Sequence, residues 1–202
     1  MNLEFSENNQ GFLIPHEDNH SLAGHDPIIE AEQWCRDTPT IDLTCVVVGL
    51  GAGFHIAQLV KQKKMEKVFV VDRRPGLVNV FRKQFPQLRN KVEIVIVENE
   101  KSLLAHEIMN EVIETHISAL AFAPCWPKND KTLMAFHRHL SGRSAESLSL
   151  FLKKYGINRD IQIKDEAGQR YLNIKDLEIL IQEEVPAYLR LNCFRILKEL
   201  IL

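Results

Sequence analysis

Four short apolar runs mark the chain, separated by segments of a different period. "LTCVVVG", "KVFVVD" (67–72), "KVEIVIVEN" (91–99) and "ISALAFA" (117–123) are largely continuous rather than alternating. That is the pattern of strands buried on both faces. Between them, "FHIAQLVKQ" sets Ile56, Leu59 and Val60 at helical spacing. "PGLVNVFRKQF" (75–85) opens on Pro75 at a favoured first helical position. "SLLAHEIMNEVIE" (102–114) carries Leu104, Ile108 and Val112 on one face. Strands alternating with helices predict a three-layer, Rossmann-like α/β domain with a mostly parallel sheet and right-handed crossovers.

On either side the pattern changes. Residues 1–40 are polar and read as an irregular or loosely helical lead-in, with "DPIIEAEQWCRD" as its one helix. Residues 41–140 form the expected Rossmann-like nucleotide-binding core, and residues 141–202 a helical extension. Within and beyond that boundary, "DKTLMAFHRHL" and "SAESLSLFLKKYG" read as helices, the second ending at Gly156. "DIQIKDEAGQRYLNI" reads as a β-hairpin turning near Ala167 and Gly168. "KDLEILIQEE" and "PAYLRLNCFRILKELIL" are helical again. The last of these is so apolar that it must pack back onto the domain or form a homodimer contact.

Composition narrows the function classes. With 202 residues the chain suits one domain, or one with a small appendage, and buries about 70% of its unfolded surface without a metal or disulfide staple. A formal charge of -2 does not advertise nucleic acid or an anionic membrane as a partner. Cys35, Cys45, Cys125 and Cys193 are far apart and form no zinc or disulfide pattern. "MNLEFSENNQGF" lacks the features of a signal peptide, and no stretch approaches a membrane span. A cytoplasmic location is the expectation.

The candidate chemistry lies in "VVVGLGAGFH". Gly49, Gly51 and Gly53 stand between a strand and a helix, where glycine lets a backbone turn tightly and approach a ligand. Asp72 ends the second strand, 19 residues after Gly53, where an acid faces ribose hydroxyls in such folds. A dinucleotide fingerprint would place its third glycine at residue 54, but Phe54 is there. The loop therefore suits an adenosine-bearing small-molecule nucleotide without a pyrophosphate.

Over residues 43–126 this arrangement resembles the class I S-adenosylmethionine-dependent methyltransferases. The resemblance implies S-adenosylmethionine as cofactor, with its amino-acid part passing Gly49, Gly51 and Gly53. It implies Asp72 on the ribose, and Glu98 and Asn99 near the adenine. Three positions depart from that family. Val47 stands where many members carry an acid, and Ala123 stands where amino-methylating members place Asn or Asp. The usual fifth to seventh strands are not evident after residue 127.

The wording "GLGAGFHIAQLVKQKKMEKVFVVDRRPGLVNVFRKQF" is similar to the N-terminal Rossmann-like domain of the motility accessory factor family, bacterial proteins of flagellin glycosylation. Its Gly-x-Gly-x-Gly-aromatic-His loop is matched by Gly49, Gly51, Gly53, Phe54 and His55. The chain lacks the Gly-Pro-Ser-Leu motif of that family's transferase domain. This resemblance implies an accessory domain without catalysis; a sugar-nucleotide glycosyltransferase is a further alternative.

The remaining polar residues carry less. Trp126, at the end of the fourth strand, is expected to stack on a base or cover the pocket. His55 either touches a ligand group at the helix start or is a partly buried helix residue. Arg73 and Arg74 read as solvated loop charges, or as partners of a ribose phosphate. Cys125 packs rather than reacts, and Asp130 caps the following helix. His16, His20 and His25 belong to a solvated loop, and His137 and His139 to a helix surface. Arg143, at the start of the next helix, is within reach of an anion.

Overall fold

The computed structural model describes residues 2–38, 43–115, 118–127, 130–141 and 144–154. The expected hairpin and helices after residue 155, and Arg143, lie outside them. The chain divides into two compact units, Met1–His137 and Arg138–Leu202.

The first unit opens with three strands, β1 (Leu3–Glu7), β2 (Leu13–Glu17) and β3 (His20–Ser21), in an antiparallel sheet of that order. This corrects the reading of an irregular lead-in. The sheet arises from turn chemistry rather than from apolar runs. Asp18 and Asn19 both take positive φ (47° and 65°) between β2 and β3, the tight two-residue turn that Asp and Asn tolerate. Between β1 and β2, Gly11 takes φ 79° and Asn8 Oδ1 accepts the Gln10 and Phe12 N–H groups. Helix α1 (Pro27–Asp37) follows, with Pro27 in its first turn and Asp26 accepting the Ile29 N–H as its cap.

The second sheet holds β4 (Thr44–Val48), β5 (Lys67–Asp72), β6 (Val92–Ile96) and β7 (Ser118–Ala121). All pair in parallel, in the order β6-β5-β4-β7. Helix α2 (Phe54–Gln62) links β4 to β5, and α3 (Gly76–Gln84) links β5 to β6. This is an α/β architecture with an all-parallel sheet flanked by helices, compatible with a Rossmann-like fold. Val46, Val47 and Val48 of β4 and Val68, Val70 and Val71 of β5 are fully buried, as continuous β-branched runs require.

The third expected helix is two: α4 (Glu100–Leu104) and α5 (Glu107–Thr115). His106 makes the break, accepting the Ile108 N–H on its ring nitrogen and the Met109 N–H on its carbonyl. After β7 come a 3-10 turn, Ala123–Cys125, and α6 (Lys131–Leu140). In the second unit, α7 (Ala145–Lys154) is preceded by Ser144, whose hydroxyl accepts the Ser147 N–H as a cap. His139 is 1% exposed and bonds Ser144 Oγ at 2.7 Å, so it is no surface histidine. Among the described residues no helix is long and apolar enough to cross a membrane.

Strand β7 is the last strand of the sheet among the described residues. Two of its alternate carbonyls are taken by side chains: Trp34 Nε1 donates to Ala121 O at 3.0 Å, and His137 Nε2 to Ala119 O at 3.4 Å. Trp34→Phe keeps the ring but strands the Ala121 carbonyl. It is expected to lower stability by about 1–2 kcal/mol, measured as a shift of the urea midpoint.

Candidate functional site

In open α/β sheets, ligands bind outside the carboxyl ends of the strands, where the strand order reverses. Here that point lies between β4 and β7. The glycine loop leaves β4, and Phe122–Trp126 leaves β7. Both sequence-selected features, the loop and Trp126, meet at this edge.

The meeting is one of direct packing. Gly49 has φ 98°, and a Cβ there would lie 2.5 Å from Cys125 Sγ and 2.6 Å from Trp126 Nε1. A Cβ on Gly51 would lie 2.5 Å from the Leu22 carbonyl oxygen. That same oxygen accepts the Ala52 N–H at 3.3 Å. The ring of Phe81, on α3, lies against Gly53. The three glycines therefore let the chain's own residues approach: Cys125 and Trp126 from the β7 turn, Leu22 from the N-terminal sheet and Phe81 from α3. Trp126 is held by its indole N–H on Val48 O at 2.9 Å and by His20 Nε2 on its carbonyl at 3.1 Å.

Asp72 is fully buried at the end of β5. Its Oδ1 accepts the Arg74 N–H (2.9 Å) and Nε–H (2.7 Å). Its Oδ2 accepts the Leu50 N–H (2.6 Å) and Arg74 Nη2–H (2.6 Å). Four bonds occupy about all the acceptor capacity a carboxylate has. Arg74 is also fully buried, and its fork reaches on to Cys125 O and to Glu17 Oε2, each at 3.3 Å. Arg73 joins Glu17 (2.6 Å) and Asp130 (2.8 Å). Neither arginine is a solvated loop charge, which corrects that expectation. Burial alone would lower both arginines. The bonds and charge of Asp72 reverse this for Arg74, and those of Asp130 and Glu17 for Arg73, so both are held above their ordinary value.

His55 lies just inside α2 and is 1% exposed. Its Nε2–H donates to Gly49 O at 3.0 Å. Its ring stacks on Phe122 at 4.4 Å and meets the Trp34 edge at 5.7 Å. Of the two expected roles, the buried one fits these contacts. Burial pushes its pKa down to about 4, against the raising effects of the Gly49 carbonyl and of Asp72. Cys125 is fully buried and its thiol is pushed far up by burial, with Arg74 opposing, so it packs and does not attack. Asp130 caps α6 by accepting the Thr132 and Leu133 N–H groups.

Glu98 and Asn99, assigned to the adenine by resemblance, are exposed beyond β6. Asn99 is the cap of α4 and exchanges hydrogen bonds with Ser102. Glu17, which pairs with both Arg73 and Arg74, is not among the residues the sequence points to. The Asp-Asn turn that follows it was its available signal. Among the described residues, no buried side-chain nitrogen or oxygen lacks a hydrogen-bond partner. No family model, curated protein or solved structure matches the chain.

Two outcomes follow for stability. Asp72→Asn removes the fully buried counter-ion of Arg74 and leaves it only the longer pair with Glu17, which is expected to cost roughly 3–5 kcal/mol, read as a large drop in Tm. His55 also makes stability depend on pH. The unfolded chain takes up its proton near 6.5, while the folded chain resists until about 4. Its contribution is therefore complete above 6.5 and lost as pH falls to 4, by about 3 kcal/mol. Above pH 9 the unfolded thiols ionise first, because burial pushes Cys35 up to about 11 and Cys45 to about 12, and stability falls again. Urea midpoints across this range are expected to fall on both sides, with a shallower acid limb in His55→Gln.

Proposed function

We propose that this chain is a non-catalytic Rossmann-like accessory domain, with a methyltransferase-like core whose nucleotide position is filled by its own side chains. The observation that carries this reading is the Asp72 carboxylate. Its acceptor positions are occupied by Leu50 and Arg74, so a ribose would have to displace a buried guanidinium. The strand order β6-β5-β4-β7 keeps the 3-2-1-4 arrangement of doubly wound nucleotide-binding sheets. The filled edge supports retention of that fold as a scaffold. The resemblance to the motility accessory factor N-terminal domain points to an interaction role in surface or flagellin glycosylation.

One observation favours a second reading, an S-adenosylmethionine-binding protein or methyltransferase. The cover over Gly49 is a single short turn, Ala123–Trp126, anchored through Trp126 to Val48 and His20. If that turn swings away and Arg74 leaves Asp72, then Gly49, Gly51, Gly53 and Asp72 form the expected cradle. Methyl transfer there would rest on alignment of acceptor and sulfonium. Calorimetry and thermal shift with S-adenosylmethionine, S-adenosylhomocysteine, NAD(P) and nucleoside-diphosphate sugars separate the two readings. The accessory reading expects no saturable heat and no Tm shift, in the wild type and in Trp126→Ala alike. Saturable adenosylhomocysteine binding by the wild type would replace it with the second.

A further inference from the structure

A cavity of about 470 Å³ opens between the β1–β2 turn and the start of α1. Its polar lining includes Ser6, Asn8, Gln10, His16 and His25, with the carboxylate of Asp26 at the start of α1. Ile14 and Ala23 add an apolar patch. Its volume lies within the range of small-molecule sites.

The charges around this cavity are informative. No lysine or arginine lines it. The nearby N-terminus of α1 would ordinarily attract an anion, but the chain has already answered it. Asp26 Oδ1 accepts the Ile29 N–H at 3.2 Å, and Glu30 Oε1 accepts the Asp26 N–H at 3.1 Å. An anionic ligand would face the Asp26 carboxylate and no lysine or arginine. The remaining groups are hydroxyls, amides and imidazoles, which both donate and accept. His16 Nε2 and Ser6 Oγ already stand as a donor–acceptor pair, 2.7 Å apart. Asn8 engages its oxygen with two backbone N–H groups, leaving its amide nitrogen as the donor.

We propose that this cavity binds a neutral, hydroxyl-rich small molecule of the size of one sugar ring. Its hydroxyls bond the His16–Ser6 pair, the Asn8 amide and His25, and its C–H face lies on Ile14 and Ala23. The site is independent of whether the sheet edge ever admits a nucleotide.

Imidazole NMR signals of the full chain, followed during addition of glucose, galactose, N-acetylglucosamine or myo-inositol, test it. Inorganic phosphate serves as the anionic probe. Saturable shifts of His16 and His25 are expected with at least one neutral probe, and none with phosphate. His16→Phe is expected to weaken binding about tenfold, the loss of one good hydrogen bond. His25→Trp sits on the exposed rim, outside the sheet. It is expected to fill the cavity and abolish the His16 shifts with an unchanged Tm. Saturation by none of the four probes, tighter binding of phosphate, or unchanged affinity in both variants overturns the proposal.

Discussion

The carboxyl edge of this domain depends on one buried ion pair, Asp72 with Arg74. Burying either charge alone would be prohibitive. Together they are tolerable because every strong site on the carboxylate is hydrogen-bonded and because the guanidinium has further acceptors in Cys125 O and Glu17. The pair thereby joins four parts of the chain. Leu50 belongs to the loop after β4, Asp72 ends β5, Cys125 follows β7, and Glu17 ends β2. An edge that ligands usually organise is here organised by an arginine.

The rest of the edge follows from that arrangement. Once Arg74 draws the Cys125 carbonyl inward, the β7 turn lies on the glycine loop, and only glycine at residues 49 and 51 leaves room for it. Once Glu17 is needed by Arg73 and Arg74, the N-terminal sheet must dock beside the strand ends, bringing the Leu22 carbonyl onto the Ala52 N–H. The neutral imidazole of His55 then ties the Gly49 carbonyl to Phe122 and Trp34. A charged ring in that place would lack a counter-ion with free acceptor capacity. Its depressed pKa and the saturation of Asp72 are two consequences of the same burial.

Much of this fold is legible in the chain, and the exceptions have physical causes. The segments Phe54–Gln62 and Lys67–Asp72 are found where the periodicity puts them, because a fully buried strand and an amphipathic helix leave strong, different signatures. The N-terminal sheet leaves a weak one. Its strands are short and largely polar, and its shape comes from turns at Asp18-Asn19 and Gly11. The break at His106 is hidden because a histidine that caps a helix looks like any polar helix residue. The candidate site is half legible. The loop, Asp72 and Trp126 do converge on one edge. What fills the edge is not readable, since a sequence that reads Asp-Arg-Arg after a strand does not tell which arginine turns inward.

A glycine-rich turn followed by an acid is therefore ambiguous in a specific way. The physical demands of cradling a ligand and of accepting a neighbouring turn are the same: no Cβ, positive φ, and a carboxylate that needs donors. A ribose supplies hydroxyl donors to that carboxylate; Arg74 supplies N–H donors in a fixed fork and adds a compensating charge. The competition between the two is unequal, because the arginine is tethered two residues away and a free ligand must give up translational freedom to reach the same place. A chain with an arginine at this position, buried against the acid and bonded onward to the opposite turn, satisfies that acid from within, and the accessory-domain proposal rests on this. In such a chain, recognition is better sought where polar groups line an open cavity, as they do between the β1–β2 turn and α1.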